Sequence, residues 1–262
     1  MKMKDRNWCC IAPECDTDLI CANEGQYVTG QPIGLLQTHS WMPKPPGHVS
    51  CKASYPYPVR HMPVRELIAE SLIANEQGLI PNLVEAGERI EREFGARIIG
   101  SSCGYFGNYQ KEVADCLHTP TYLSSVIQAP WALSAMQPEQ KLGVICADET
   151  KMTFELMESC GCTRADYERC VVYGAQDNPM FHFMRQNLGH YNIAMFGEEL
   201  VALAKKLVIE HPEVGAILLE CTEMPSYAAP IQAATNLPVY DYITLLNFLK
   251  ETVCHKPHYG FI

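Results

Sequence analysis

The sequence predicts an α/β protein of two pseudo-symmetric lobes, each a parallel sheet covered by helices, with the active site in the cleft between them. Three observations carry this. First, short apolar runs alternate with helical patterns along the body of the chain, which implies parallel strands covered on both faces. Second, two stretches repeat each other. Ile98-Ile99-Gly100-Ser101-Ser102-Cys103-Gly104 leads to Thr119-Pro120-Thr121-Tyr122, and Ile217-Leu218-Leu219-Glu220-Cys221-Thr222 leads to Leu237-Pro238-Val239-Tyr240. In both, proline follows cysteine by 17 residues (103 to 120, 221 to 238) and tyrosine follows it by 19 (103 to 122, 221 to 240). Third, 262 residues with 47% hydrophobic content suffice for two lobes with a real core.

The elements follow in order. Residues 1–31 show no periodicity and read as an irregular extension carrying Cys9, Cys10, Cys15 and Cys21, without the paired C-x-x-C spacing of a zinc site. A strand over 33–36 ends in Gln37-Thr38-His39-Ser40. The stretch 43–58, containing Pro45-Pro46-Gly47, is too rich in proline and glycine for regular structure and is expected to be a functional loop. Leu83, Val84, Gly87, Ile90 and Phe94 mark one face of a helix over 81–94. Strands are predicted over 97–100, 121–123, 141–146, 170–173, 214–219 and 238–240. Helices are predicted over about 105–117, 125–136 (interrupted at Pro130), 148–160, 224–235 and 242–253. A further amphipathic helix is marked by Leu200, Leu203, Ala204, Leu207 and Val208. Asp148 suits a helix start, and Asn178-Pro179 begins another. The first lobe is then 32–137 plus 241–262 and the second 138–240, with the junction near Gln137-Pro138.

The formal net charge of −10 argues against a nucleic-acid or anionic-membrane partner. No run approaches the ~20 apolar residues of a membrane helix, and the polar start lacks a signal-peptide core. A cytoplasmic location is expected. The thirteen cysteines are odd in number, so reduced thiols are the default and most should be small buried hydrophobes.

Cys103 and Cys221 stand apart because each ends an apolar strand and opens a helix. Backbone N–H groups at such a turn favour a nearby anion, either a thiolate or a substrate carboxylate. Gly104 allows close backbone approach, and Ser101, Ser102 and Thr222 add hydroxyls. Two thiols in matched repeats point to proton transfer at a carbon, one removing a proton and the other returning one. No G-x-G-x-x-G, Walker A, H-E-x-x-H or G-x-S-x-G occurs, which removes the common nucleotide, zinc-protease and serine-hydrolase readings.

These motifs resemble the aspartate/glutamate racemase superfamily, which includes hydantoin racemase, maleate isomerase and arylmalonate decarboxylase. Leu219-Glu220-Cys221-Thr222-Glu223-Met224-Pro225 resembles the E-C-T-N-M-P form of an uncharacterised branch, and Ser101-Ser102-Cys103-Gly104 stands in for T-S-C-G. The likeness spans about 32–253. It implies two Rossmann-like lobes, no cofactor and no metal, and a homodimer as the family habit. It makes Cys103 and Cys221 the catalytic pair. Thr38 and His39 fall where the family places a substrate contact, and Arg60 could pair with a carboxylate. With Ser101, Ser102, Gly104, Thr222 and Glu223 they form the expected substrate-binding set. The chain departs from well-studied glutamate racemases, which carry C-N-T and C-T-H. Here the motifs read Cys103-Gly104-Tyr105 and Cys221-Thr222-Glu223, so Glu223 stands where a histidine would orient the second thiol.

The expectation is a cofactor-independent isomerase: a racemase or epimerase acting on a small, amino-acid-like carboxylate through two cysteine bases. The alternatives are a related cysteine-dependent isomerase or decarboxylase of a small dicarboxylate, and a non-catalytic small-molecule-binding or redox-sensing protein.

Overall fold

A computed structural model describes residues 24–64, 67–256 and 258. Most of the extension expected over 1–31, with its four cysteines, lies outside the described residues.

Among the described residues, seven strands form two parallel sheets. The first contains β1 (Ile33–Gln37), β2 (Val59–Pro63) and β3 (Ile98–Ser101) in the order β2-β1-β3. The second contains β4 (Lys141–Cys146), β5 (Cys170–Gly174), β6 (Val214–Leu219) and β7 (Val239–Tyr240) in the order β5-β4-β6-β7. The sheets match strand for strand, except that the partner of β7 is a single bridge, Ile99 to Thr121. The strand predicted over 121–123 therefore reduces to one residue. Side chains take over its backbone groups: Gln110 bonds the Thr121 carbonyl and the Leu123 N–H, and the Tyr242 hydroxyl bonds the Tyr122 carbonyl. β1, β3, β4 and β6 are near-continuous apolar runs because helices cover both faces.

The helices are α1 (Ala69–Ile73), α2 (Ile80–Arg89), α3 (Gln110–Cys116), α4 (Gln128–Ser134), α5 (Phe154–Ser159), α6 (Arg164–Glu168), α7 (Pro179–Arg185), α8 (Ile193–Glu210), α9 (Ala228–Thr235) and α10 (Tyr242–Val253). Several predicted helices start late, because their first turns are 3-10: Gly104–Tyr109 before α3, Ser125–Ile127 before α4, Glu149–Lys151 ahead of α5 and Met224–Tyr227 before α9. Pro130 lies in the first turn of α4, where its missing N–H costs nothing, so it interrupts no helix. Asn192 caps α8, and an Asp241–Thr244 capping box starts α10.

β2, α1 and α6 were not anticipated. β2 is an edge strand, so Pro63 at its end removes no needed ladder bond. One apolar core joins the sheets, from Leu36 and Ile99 to Leu142, Val144 and Leu218. A second forms where Tyr242, Leu245, Leu246 and Leu249 of α10 pack with Ile33, Leu35 and Ile98. The Pro-rich stretch crosses from the first sheet to the second. Gly47, at φ +98°, lies so close to Ser226 that a Cβ there would sit 2.4 Å from the Ser226 Cα. This contact holds His48 against the turn after β6.

Candidate active site

The chain leaves β1 through Thr38 and His39, β3 through Ser102 and Cys103, β4 through Ala147, and β6 through Glu220 and Cys221. These are the C-terminal ends of parallel strands, where open α/β sheets bind ligands. They converge on a cavity of about 110 Å³ lined by Cys103, Cys221, Glu220 and Glu223. The loop after β1 adds His39 and Met42, α1 adds Glu70, and α7 adds Phe181, Met184 and Arg185. A larger cavity of about 260 Å³, bounded by Gln31, Lys52, Tyr55, Tyr57, Pro58 and Val59, holds no thiol or carboxylate. The chemistry gathers in the smaller one.

The two thiols have different partners. The Cys221 thiol donates to Glu223 Oε2 at 2.7 Å. Glu223 Oε1 in turn faces His48 Nε2 at 3.7 Å. His48 is buried, and its Nδ1 accepts the Ser50 N–H at 2.9 Å, which leaves the hydrogen on Nε2, toward the carboxylate. Cys103 has the Tyr105 backbone N–H beside its sulfur instead of a carboxylate. Burial drives both thiols well above the ordinary cysteine range. Glu223 and Glu220 push Cys221 further, and Glu220 and Glu223 do the same to Cys103. Both thiols therefore rest protonated. Burial also works to raise the Glu223 carboxyl, but attraction to His48 and the bonds from Cys221 and the backbone outweigh it and hold Glu223 below its ordinary value. Glu220 moves the other way: burial pushes it up to about 8.

Of the residues expected from sequence, His39, Cys103, Cys221 and Glu223 come together on the cavity wall. The other expected residues do not line it. The hydroxyls are used inside the framework: Ser101 donates to the Leu123 carbonyl at 2.5 Å, Ser102 accepts the Thr38 N–H at 2.9 Å, and Thr222 donates to the Ser102 carbonyl at 2.7 Å. The last bond ties one cysteine turn to the other. Gly104 packs against Glu220. Arg60 lies on β2 with its guanidinium 3.9 Å above the Phe94 ring, away from the cavity. A carboxylate in the cavity would meet Arg185 of α7 instead. Sequence reasoning missed Arg185, Glu70, His48 and Glu220. Only Glu220 left a signal there, as a charge closing the apolar run Ile217-Leu218-Leu219.

The fold defines the broad class. An aspartate racemase from Picrophilus torridus superposes with a TM-score of 0.53 at 15% identity, covering 88% of this chain and 96% of that one. Unliganded arylmalonate decarboxylase superposes with a TM-score of 0.51 at 12% identity, covering 88% and 94%. The chain thus has the two-lobed fold of these racemases and of the decarboxylase. No protein-family model matches it. Sequence relatives narrow the class. A dimethylsulfoniopropionate lyase from Durusdinium sp. clade D is 30% identical over 222 residues, 82% of this chain and 72% of that protein. Dimethylsulfoniopropionate lyase 5 from Emiliania huxleyi is 29% identical over 239 residues, 87% of this chain and 46% of that protein. The chain belongs to the dimethylsulfoniopropionate lyase family, and spans about half the length of that Emiliania relative.

This overturns the expected racemase or epimerase and its isomerase class. Thiols at matched strand ends do not by themselves fix the reaction, because one scaffold hosts several reactions. The relatives at about twice the identity of the fold neighbours are named as lyases. The alternative reading, another cysteine-dependent reaction on this fold, fits them better.

Proposed function

We propose that this chain, as an offshoot of the racemase-like superfamily, cleaves a small β-sulfonio carboxylate of the dimethylsulfoniopropionate type, with Cys221 as the base. The observation that carries this reading is the Cys221–Glu223 contact of 2.7 Å. Among the described residues, only one of the two thiols bonds a carboxylate that can take its proton. A racemase needs a base on each face of the carbon, whereas an elimination needs only one. The thiol proton passes to Glu223 Oε2, and the thiolate removes the proton from the carbon next to the substrate carboxylate. The carbon–sulfur electron pair leaves on sulfur. Dimethyl sulfide and acrylate result, and the sulfide departs neutral, so no acid is required on its side.

The lining suits a zwitterion. Glu70 and ionised Glu223, with Met42, Phe181 and Met184, favour a sulfonium cation, and Arg185 favours the carboxylate. The volume lies below the ~300–1,000 Å³ of pockets for drug-sized ligands, which restricts the substrate to a small molecule.

The test is incubation of the purified protein with dimethylsulfoniopropionate, with headspace gas chromatography for dimethyl sulfide and liquid chromatography for acrylate in equal amount. Cys221→Ala lowers kcat by about 10²–10⁴-fold, the range for loss of a general base. Cys103→Ala, which removes a wall group, lowers it by roughly tenfold or less. No dimethyl sulfide above background, or full activity in Cys221→Ala, would remove this reading.

A further inference from the structure

Glu220 is the one buried carboxyl on the cavity wall that the cleavage above does not use. It is 1% exposed. Its Oε2 accepts the Ala147 N–H at 3.1 Å, and its own backbone N–H bonds the Ile145 carbonyl, so the residue is fixed between the ends of β4 and β6. Its Oε1 is fully buried and bonds no protein group among the described residues. Such an atom costs on the order of 1–3 kcal/mol when left unmatched, and more if charged. The pressure is therefore toward the neutral acid. Oε1 lies beside the Gly104 turn, so a group in the cavity meets its O–H only after a small shift of that turn.

The surroundings agree. The titratable groups that face Glu220 are Cys103 after β3, Tyr105 on the following turn, Cys146 on β4, Cys160 after α5, and Cys221 and Glu223 after β6. All are acids and none favours a second negative charge; the Ala147 N–H on Oε2 does favour the ionised form, but burial outweighs it. Glu223, three residues on, is held ionised by His48, and Glu220 is driven the other way by burial. Two carboxyls whose environments separate their protonation take different roles.

We infer that Glu220 enters the reaction protonated and donates a hydrogen bond from Oε1 to the substrate carboxylate. This rests on the cavity being the substrate site. Arg185 supplies the cation for that carboxylate, and Glu220 supplies a neutral donor that strengthens as charge gathers on the carboxylate oxygen during proton removal. A sulfonium offers no acceptor, so the donor also sets which end of a zwitterion lies beside β4 and β6. The substrate class is then any small carboxylate with a leaving group on its β-carbon, read by its acid end.

The experiment pairs activity with two measurements that do not need it. Glu220→Gln keeps an N–H donor at the same place, so kcat/KM near pH 7 stays within about threefold, and the fall in kcat/KM above about pH 8 in the native protein disappears. Glu220→Ala loses about 10²-fold, as for removal of one oxyanion donor. Independently, acrylate binding to the native protein, followed by calorimetry, weakens about tenfold per pH unit above pH 8. The infrared carbonyl band of a protonated carboxyl, present at pH 7 and moved by acrylate, is absent in Glu220→Gln. An unchanged alkaline limb in Glu220→Gln, a folded Glu220→Gln without activity, acrylate affinity constant to pH 9, or a carbonyl band indifferent to the substitution would each overturn the inference. Absence of dimethyl sulfide would count only against the proposed reaction, because the band and its pH response report Glu220 alone.

Discussion

At the scale of single residues, the Cys221–Glu223 contact does two opposed things. The carboxylate gives the thiol proton a place to go, and its charge also holds that proton on sulfur. Burial is the largest cause of the raised Cys221 value, and the Coulombic and hydrogen-bond effects of Glu223 add to it. Glu223→Gln therefore separates reactivity from turnover. Without the negative charge the thiol becomes more acidic, and a fall of about one pH unit makes roughly ten times more thiolate near neutrality. Alkylation of Cys221 by iodoacetamide, followed by peptide mass spectrometry, accelerates severalfold up to that limit. Turnover of dimethylsulfoniopropionate falls by about 10²-fold, because the amide cannot accept the proton. If alkylation and turnover decline together, Glu223 serves only to hold the turn in place. His48 belongs to the same unit through its 3.7 Å approach to Glu223.

At the scale of elements, the site depends on the 3-10 turn Gly104–Tyr109 lying flat on the end of β6. A Cβ on Gly104 would fall 2.0 Å from Glu220 Oε1 and 2.4 Å from the Glu220 carbonyl oxygen. The second is backbone and cannot swing aside. Gly104→Ala should cost about 2–3 kcal/mol, in the range of core overpacking, which at this size lowers Tm by roughly 5–10 °C. Calorimetry checks it, and an unchanged Tm would show that the turn can lift off β6 freely. The same elements show what was readable from sequence. The apolar runs of β1, β3, β4 and β6 name themselves, because burial on both faces leaves them nearly without polar residues. The cysteines at their ends were legible for the same reason. β2 was hidden, since Pro58 and Pro63 frame it and only one neighbour is needed to make an edge strand. The bridge at Thr121 fell short of a strand because Gln110 and Tyr242 claim its hydrogen bonds, a competition between side chains far apart in sequence. Arg60 has the right chemistry for a carboxylate, but its place on β2 points it over Phe94. Arg185 and Glu70 reach the cavity only through the packing of α7 and α1, which periodicity does not encode.

At the scale of the whole molecule, the buried acids make stability depend on pH in a particular direction. A group whose proton is held more tightly in the folded state stabilises that state below its unfolded value, and the benefit is lost as pH rises to the folded value. Glu220 rises from 4.5 to about 8, which at about 1.4 kcal/mol per pH unit amounts to roughly 5 kcal/mol lost between about pH 4.5 and pH 8. Asp241, also raised by burial, adds to the early part of that fall. Glu223 acts oppositely, since its value is depressed: its contribution is present above the ordinary carboxylate range and disappears as the solution is acidified through its folded value. Above about pH 9 a second loss begins. Cys103, Cys146, Cys160, Cys162, Cys170 and Cys221 are all raised, chiefly by burial, so the unfolded chain releases these protons first. His61, pushed down to about 4 by burial, acts oppositely to Glu220 between about pH 4 and 6.5, where the unfolded chain binds the extra proton. The predicted profile of Tm is therefore nearly level to about pH 6.5, declines to pH 8, and falls more steeply beyond pH 9. Calorimetry of the reduced protein from pH 4 to 10 tests it. Glu220→Gln flattens the middle segment and leaves the alkaline one, because the amide carries no titrating proton while the thiols are untouched. A native protein whose Tm holds level from pH 6.5 to 8 would mean that Glu220 finds a cationic or hydrogen-bonding partner that keeps it ionised. The two lobes would then close around a charge, and the cleft would select its ligand by that charge.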